Sequence, residues 1–388
     1  MPIQRNRERL GARGFGKLMV RELLPTPGAF VDLGYLDETN LEHLAEMEII
    51  TDENGEVINV MEKSSKDSIA SNLLQVSADE IDFIRNASGK THTLRYFGLL
   101  NEYQKFQYYC FEQVKIDPSV ARRFIQGKQV MPLKATAVKQ SLTYDVPTMY
   151  VVEVNAPLSL DYLQLWLSPR RGLNNLTAMV LDVSGFARHG TLTSAFATIW
   201  QSAAAPERFL RFDGTVDALS LGDVLDDDAT TDFMIETWAH IPAADGTAQE
   251  ILGKKNLFAD HSAGFAMRRE TDNTISFKIS DGDESATVAS AATLLQNVWK
   301  HIAITIDRNG NGKMYINGAA SGAAVSVAAL ETAASNALPF YLGAINGTEL
   351  GQVDISDTRA HQYPSGLPAD IATVILNHYT AEKTIHGL

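Results

Sequence analysis

The sequence predicts a mainly β protein of two domains: an N-terminal domain of strands with one helix, followed by a larger antiparallel sandwich. Short segments of period-two alternation recur from residue 30 almost to the end of the chain of 388 residues. Across 178–388 they are separated by Gly, Asn and Asp turn signals at the spacing of an all-β sandwich. Charge divides the chain in the same place: residues 1–172 hold 20 Lys and Arg against 22 Asp and Glu, whereas 173–388 hold 13 against 25. The turn-rich "SPRRGLNN" at 168–175 marks the expected boundary, giving domains 1–172 and 173–388.

Residues 1–21 form a basic arm carrying Arg5, Arg7, Arg9, Arg13, Lys17 and Arg21. It has too few apolar residues for a core of its own, which suits a solvated or subunit-contacting tail. "VDLGYLDETNLEHLAEMEIITDENGEVINVME" reads as an alternating run, the turn "DENGE" and a second strand. The spacing of Ile69, Leu73, Leu74, Val76, Ile81 and Ile84 predicts an amphipathic helix, with Ser77 and Glu80 as a capping box within it. "HTLRYFGLL", "YQKFQYYCFEQVKID" and "KQVMPLKATAV" then alternate like a half-buried sheet. Residues 146–177 are expected to add one strand and a short helical run.

In the second domain the expected strands are "RFLRFDG", "DALSLG", "FMIETWAHI", "EILGKK", "GFAMRRE", "TISFKISDG", "WKHIAITID", "KMYINGA", "PFYLGAI" and "GQVDISDTRAH". Only "PADIATVILNHYTAEK" reads as helix, and the Ala-rich 319–335 reads as a surface loop. With a net charge of −12, this half has no basic field to hold nucleic acid.

Candidate chemistry is sparse. Asp307, Asn309, Asn311 and Gly312 occupy calcium-loop positions, but the bidentate acid such a loop needs is replaced by Gly318 and the flanks alternate as strands. This stretch is a hairpin turn. "DEIDFIR" at 79–85 has Arg85 where a glycosidase pattern wants a third acid. "GDVLDDDATTD" gathers Asp223, Asp226, Asp227, Asp228 and Asp232, which reads either as solvated surface or as oxygen ligands for calcium. Zinc spacing, GxSxG, phosphate loops and GxGxxG are lacking, and Cys110 has no partner cysteine. Trp238 and Trp299 read as core rather than as sugar platforms. No catalytic, cofactor or metal residue is assigned, no cofactor is expected apart from the calcium alternative, and the chain reads as a non-enzyme. No apolar run approaches a membrane span, and the basic start lacks the apolar segment of a secretory signal, so membrane insertion is not expected and synthesis is expected in the cytoplasm.

In strand order and spacing the second half resembles the laminin-G-like/concanavalin-A-like jelly-roll family, from "LDVSGFARHGTL" and "LRFDGTVDALSLG" through "WKHIAITID" and "KMYINGA" to "GQVDISDTRAH". The resemblance implies two curved antiparallel sheets and, in many members, glycan or calcium binding. It transfers no ligand residue, because those vary within the family.

The first half is similar to the tail tube (major tail) proteins of long-tailed bacteriophages, on "FVDLGYLDETNLEHLAEMEIITDENGEVI" with its "LGYLDE" start, acidic strands and Gly turn. That resemblance implies a tail-tube-like β-barrel or sandwich with a flanking helix, in a virion protein made in the host cytoplasm, assembling as stacked hexameric rings with other tail proteins around a lumen that DNA traverses. The jelly roll would then project outward for decoration or attachment to host-surface glycans. Two alternatives follow: a head-decoration or tail-tip adhesin whose jelly roll binds host glycans, and a carbohydrate-active enzyme with a degenerate site.

Overall fold

The computed structural model describes residues 16–24, 31–51, 57–74, 87, 90–100, 106–117, 123–125, 128–137, 149–154, 162–169, 179–193, 199–206, 208–241, 246–291, 296–330 and 334–388. The protein is mainly β, and it divides into two compact units, Met1–Glu153 and Val154–Leu388. The division falls ahead of "SPRRGLNN", because the strand before that stretch belongs to the second unit's sheet. Among the described residues no helix is long and apolar enough to cross a membrane.

The first unit is built from β1 (Gly16–Leu24), β2 (Val31–Thr51), β3 (Val57–Leu74), β4 (Thr91–Leu100), β5 (Phe106–Ile116), β6 (Arg123–Ile125), β7 (Lys128–Ala137) and β8 (Met149–Val154). All its described register pairs are antiparallel. The pairings run β7–β3–β2–β1–β4–β5 and return from β5 to β7, so six strands close on themselves as a barrel. Leu94, Phe111, Val114, Ile116, Leu133 and Ala135 are buried in this unit.

β2 and β3 run on past the ring. Among the described residues, 43–51 and 57–67 pair only with each other, while β1 takes β2 at 31–36 and β7 takes β3 at 68–74. At about 3.3 Å per residue the extension reaches roughly 30 Å.

One expectation is corrected here. Ile69, Leu73 and Leu74 lie in β3, not on a helix, with Ile69 opposite Leu41 and Ala135 and Leu73 opposite Leu36 and Met131. The spacing of four from Ile69 to Leu73 keeps a side chain on one face of a strand as well as of a helix, so the pattern could not separate them. Val76, Ile81, Ile84, the Ser77/Glu80 box and the "DEIDFIR" stretch lie outside the described residues.

In the second unit, one sheet runs β10 (Met179–Val180), β11 (Gly190–Leu192), β14 (Leu219–Ser220), β23 (Tyr341–Leu342), β16 (Gln249–Lys254), β17 (Gly264–Arg269), β18 (Ile275–Ser280) and β19 (Ser285–Ala289). The other runs β12 (Trp200–Ser202), β13 (Arg208–Asp213), β24 (Gln352–Tyr363), β15 (Asp232–His240), β20 (Trp299–Ile306), β21 (Asn311–Ile316) and β22 (Ala319–Ser326), with β9 (Leu163–Leu167) also pairing on β24. The described part of 146–177, a stretch expected to hold one strand and a helical run, supplies two strands, β8 and β9. The Ala-rich 319–326 is the edge strand β22, paired antiparallel with β21, rather than a loop.

Alternate residues of the two sheets meet in one core. Phe233 of the second sheet lies 5.7 Å in ring separation from Phe265 of the first, which lies 6.0 Å from Phe277 and 6.1 Å from Phe340. Tilted and stacked aromatic contacts of this kind add to burial that already contributes about 1.5–3 kcal/mol per large apolar side chain. The "DRNGNG" turn between β20 and β21 is the expected hairpin, closed by Gly310 N donating to Asp307 O at 3.0 Å.

The chain ends in α1 (Ile371–Glu382), as its sequence predicts. Twelve residues are marginal for an isolated helix, and Asp370 makes no side-chain cap, so docking must hold it. Ile375, His378 and Glu382, spaced three and four apart, turn inward onto the outer face of the second sheet. The β21–β22 turn makes room: Gly318, at φ +79°, would place a Cβ 3.0 Å from Leu376 and 3.1 Å from Tyr379.

Candidate functional site

The outer face of the second sheet carries polar and aromatic side chains beside a small apolar cluster of Met234, Ala303 and Tyr315 under Ile375. β15 alternates Ile235 and Ala239 into the core with Glu236, Trp238 and His240 outward. β24 likewise sends Ile355 and Ala360 inward and Asp354 and Arg359 outward. Trp238 and Trp299 are buried as expected, but on this outer face beneath α1 and the C-terminal turn rather than between the sheets. His386 stacks on Trp238 at 3.9 Å, and Tyr379 covers the same ring at 5.9 Å.

Under α1 lies a closed set of charges. Arg359 donates through Nη1 and Nη2 to both oxygens of Glu382, at 2.9 and 2.6 Å, and through Nε to Glu236 Oε1 at 2.5 Å. Trp238 Nε1 donates to Glu382 at 2.8 Å. His378 Nδ1 faces Glu236 Oε1 at 2.8 Å, and His301 Nε2 faces Oε2 at 3.1 Å. A carboxylate only accepts, so both of those ring nitrogens carry their protons. Burial pushes the Glu236 carboxyl up, but Arg359, His378 and His301 outweigh it and hold the group well below the usual range. Arg359 stays charged for the same reason: Glu236 and Glu382 outweigh its burial.

Glu236, His361 and His378 also place one ligand atom each within 4.8 Å of one another, as a metal would require. The fit is poor. Glu236 Oε1 already accepts from both Arg359 and His378, and an added cation would sit against a fixed guanidinium charge. The arrangement suits a salt-bridged lock in which Arg359 is the cation.

At one end of this face a row crosses four neighbouring strands: Arg211 of β13 is opposite Asp354 of β24, Asp354 opposite His240 of β15, and His240 opposite Trp299 of β20. Arg211 holds Asp354 with Nε at 2.8 Å and Nη2 at 2.9 Å, and His240 Nδ1 lies 3.2 Å from the same carboxylate. Burial raises the Asp354 carboxyl, but its bonds to Arg211 and His240 bring it below its ordinary value.

The acidic loop does not converge. Asp226 and Asp223 both bind the buried Lys254 ammonium, Asp226 at 2.8 Å. Asp227 is buried 3.4 Å from Arg308, and burial pushes its carboxyl up against that charge. Asp228 accepts from Thr230 N at 3.0 Å and Thr231 N at 2.7 Å within its own turn. Asp232 takes Arg308 N and Leu367 N, each at 2.8 Å. Five acids thus serve four separate purposes, each with its own protein donors or cation, although the buried Asp227 Oδ1 has no hydrogen-bond partner among the described residues.

Two further features escaped the sequence. Asp182 accepts from Trp166 N, Ser184 N, Ser184 Oγ and Arg188 N at 2.8–3.0 Å, tying β9 to the loop after β10, and Trp166 Nε1 reaches Asp357 at 3.1 Å. On the first sheet, Glu250 of β16 is buried and its carboxyl is pushed up to about 8, by burial first and then by Glu349 and Glu270 against the opposing pull of Arg268. The readable signal for the lock was a lone charge inside an apolar strand, "FMIETWAHI".

The family described as the concanavalin A-like lectin/glucanases superfamily matches residues 213–364. No curated protein matches the chain. Similar solved structures include the binding domain of Paraclostridial Mosquitocidal Protein 1 (14% identity, TM-score 0.44, 57% of this chain and 52% of that one). The binding domain of botulinum neurotoxin serotype G follows (19%, 0.43, 57% and 51%), as does the receptor binding domain of botulinum neurotoxin D (14%, 0.45, 57% and 53%). The chain spans about half the length of each. With its two antiparallel sheets, shared core and matched strands, the C-terminal unit is a laminin-G/concanavalin-A-like jelly roll.

Proposed function

We propose that the jelly roll is a non-catalytic carbohydrate-binding module by which the protein attaches to a glycan-bearing surface. The observation that carries this reading is the family match over residues 213–364. The buried carboxylates Glu236 and Asp354, on strands facing outward, support the absence of hydrolysis. Glu236 is tied to Arg359, His301 and His378, and Asp354 to Arg211 and His240, which leaves neither free as a nucleophile beside a proton donor. Screening the full-length protein on an array of neutral and acidic glycans tests the reading. Saturable binding to a defined glycan without cleavage is expected, and hydrolysis of a bound polysaccharide would favour the degenerate-enzyme alternative.

A specific feature favours a second role for the first unit. A closed barrel with a hairpin running roughly 30 Å past its ring has two strand edges that, among the described residues, pair with nothing else and could meet another copy. This supports self-assembly of the tail-tube kind, in stacked and expectedly hexameric rings of a virion, with the jelly roll outward. Electron microscopy of the purified protein tests it: rings or tubes are expected, and monomers at all concentrations would leave the adhesin reading alone. Abundance in a purified particle would separate a tube subunit from a head-decoration or tail-tip adhesin.

A further inference from the structure

The row at the end of the outer sheet face is unlike an ordinary surface ion pair. In those, both side chains are exposed and loosely held. Here Asp354 is 1% exposed, whereas the Arg211 side chain is 51% exposed. The buried carboxylate fixes the guanidinium by two parallel bonds, and the Phe209 ring lies 5.5 Å from its centre. Two of the five guanidinium N–H groups are consumed in this way, and among the described residues nothing else accepts from the other three. His240, partly exposed, and Trp299 continue the row, with their rings 5.5 Å apart. The next outward acid on β13, Asp213, has its carboxylate turned into its own loop, accepting from Thr215 N at 2.8 Å and Val216 N at 3.1 Å. It therefore does not neutralise Arg211.

We propose that Arg211, oriented by Asp354 and flanked by His240 and Trp299, recognises the carboxylate of an acidic sugar, a sialic or uronic acid residue; this rests on the carbohydrate-binding reading above. A pre-oriented guanidinium matches a planar carboxylate, and holding it in place before binding removes the ordering cost that weakens a mobile arginine. The domain's charge of −12 over residues 173–388 selects further. It repels extended polyanions such as nucleic acid, so the preferred ligand carries a single carboxylate on an otherwise neutral chain.

Binding of full-length protein is measured to 3′-sialyllactose against lactose, and to a glucuronic-acid-terminated oligosaccharide against its methyl ester. The pair that binds identifies which acidic sugar is used. Wild type should bind the acidic member of at least one pair ~10-fold or more tightly than its neutral partner. Arg211→Ala should lose ~10–100-fold, the size of one charge-assisted contact, and Arg211→Lys should not restore it because the fork is lost. Circular dichroism and melting of both variants establish that they are folded. Equal binding of acidic and neutral members, or an unchanged affinity in folded Arg211→Ala, overturns this assignment and leaves the carbohydrate reading standing. Binding confined to other, neutral glycans does the same. No binding to any glycan overturns both.

Discussion

Arg359 on β24 and Glu382 at the end of α1 meet through two parallel hydrogen bonds of 2.9 and 2.6 Å, and both are fully buried. This pair, with Glu236 beneath it, fastens the C-terminal helix to a sheet face that would otherwise expose charges and aromatic rings together. Removing one member of such a set leaves the others buried without compensation, which costs far more than the set contributes as a whole.

Arg359→Met should therefore destabilise the jelly roll by about 3–5 kcal/mol, because Glu236 and Glu382 lose their common cation. The triple variant Glu236→Gln, Arg359→Met, Glu382→Gln should recover part of that loss. Urea melts of the three proteins measure it; a single variant as stable as wild type would show that the lock carries no weight.

Glu250 sets a pH dependence of the opposite sense to the usual acid. Its folded pKa, about 8, lies above the ordinary 4.5, so its contribution is fully present below about pH 4.5 and is lost as pH rises through 8. Glu250→Gln should melt close to wild type near pH 4.5 and higher than wild type at pH 9, by an amount on the order of a few kcal/mol. A difference that stays constant across that range would mean the carboxyl is not buried as described.

The boundary of the second unit can be tested by truncation. A fragment beginning at 154 keeps β9, its pairing with β24, the Trp166–Asp357 bond and the Trp166 N–H that Asp182 accepts. A fragment beginning at 173 loses all of these and bares the buried partners. The longer fragment should fold as a soluble unit, and the shorter should melt lower by ~10 °C or more, or fail to express. Equal melting temperatures would put the boundary back at 173.

The acidic loop offers a check on calcium. Asp226, Asp227 and Asp228 answer to Lys254, Arg308 and Thr230/Thr231 respectively. Millimolar calcium should leave the melting temperature unchanged, and the Asn variants should respond no differently. A calcium-dependent rise, abolished by substituting the three aspartates, would mean that the loop rearranges to gather its carboxylates around the ion.

The strands of the second half were legible because each is short, alternates with period two and is closed by a Gly, Asn or Asp turn. "FMIETWAHI", "WKHIAITID" and the helix at 371–382 fall almost where the pattern puts them. β3 was misread where Ile69 and Leu73 satisfy both periods, and β22 because Ala carries little strand signal. The site was legible only in part. Glu236 stands out as a charge in an apolar strand, but its partner Arg359 is 123 positions away and Arg211 is 143 from Asp354. Such pairings are set by sheet order, which no local pattern encodes.

The central claim, that this jelly roll binds carbohydrate, meets its most direct test in one measurement: full-length wild type and Arg211→Ala titrated side by side on a glycan array containing matched acidic and neutral oligosaccharides. Saturable binding by wild type to at least one defined glycan, with the acidic members weakened in the variant, is the predicted result. Wild type that is folded, and yet binds nothing on the array at millimolar glycan, would contradict it.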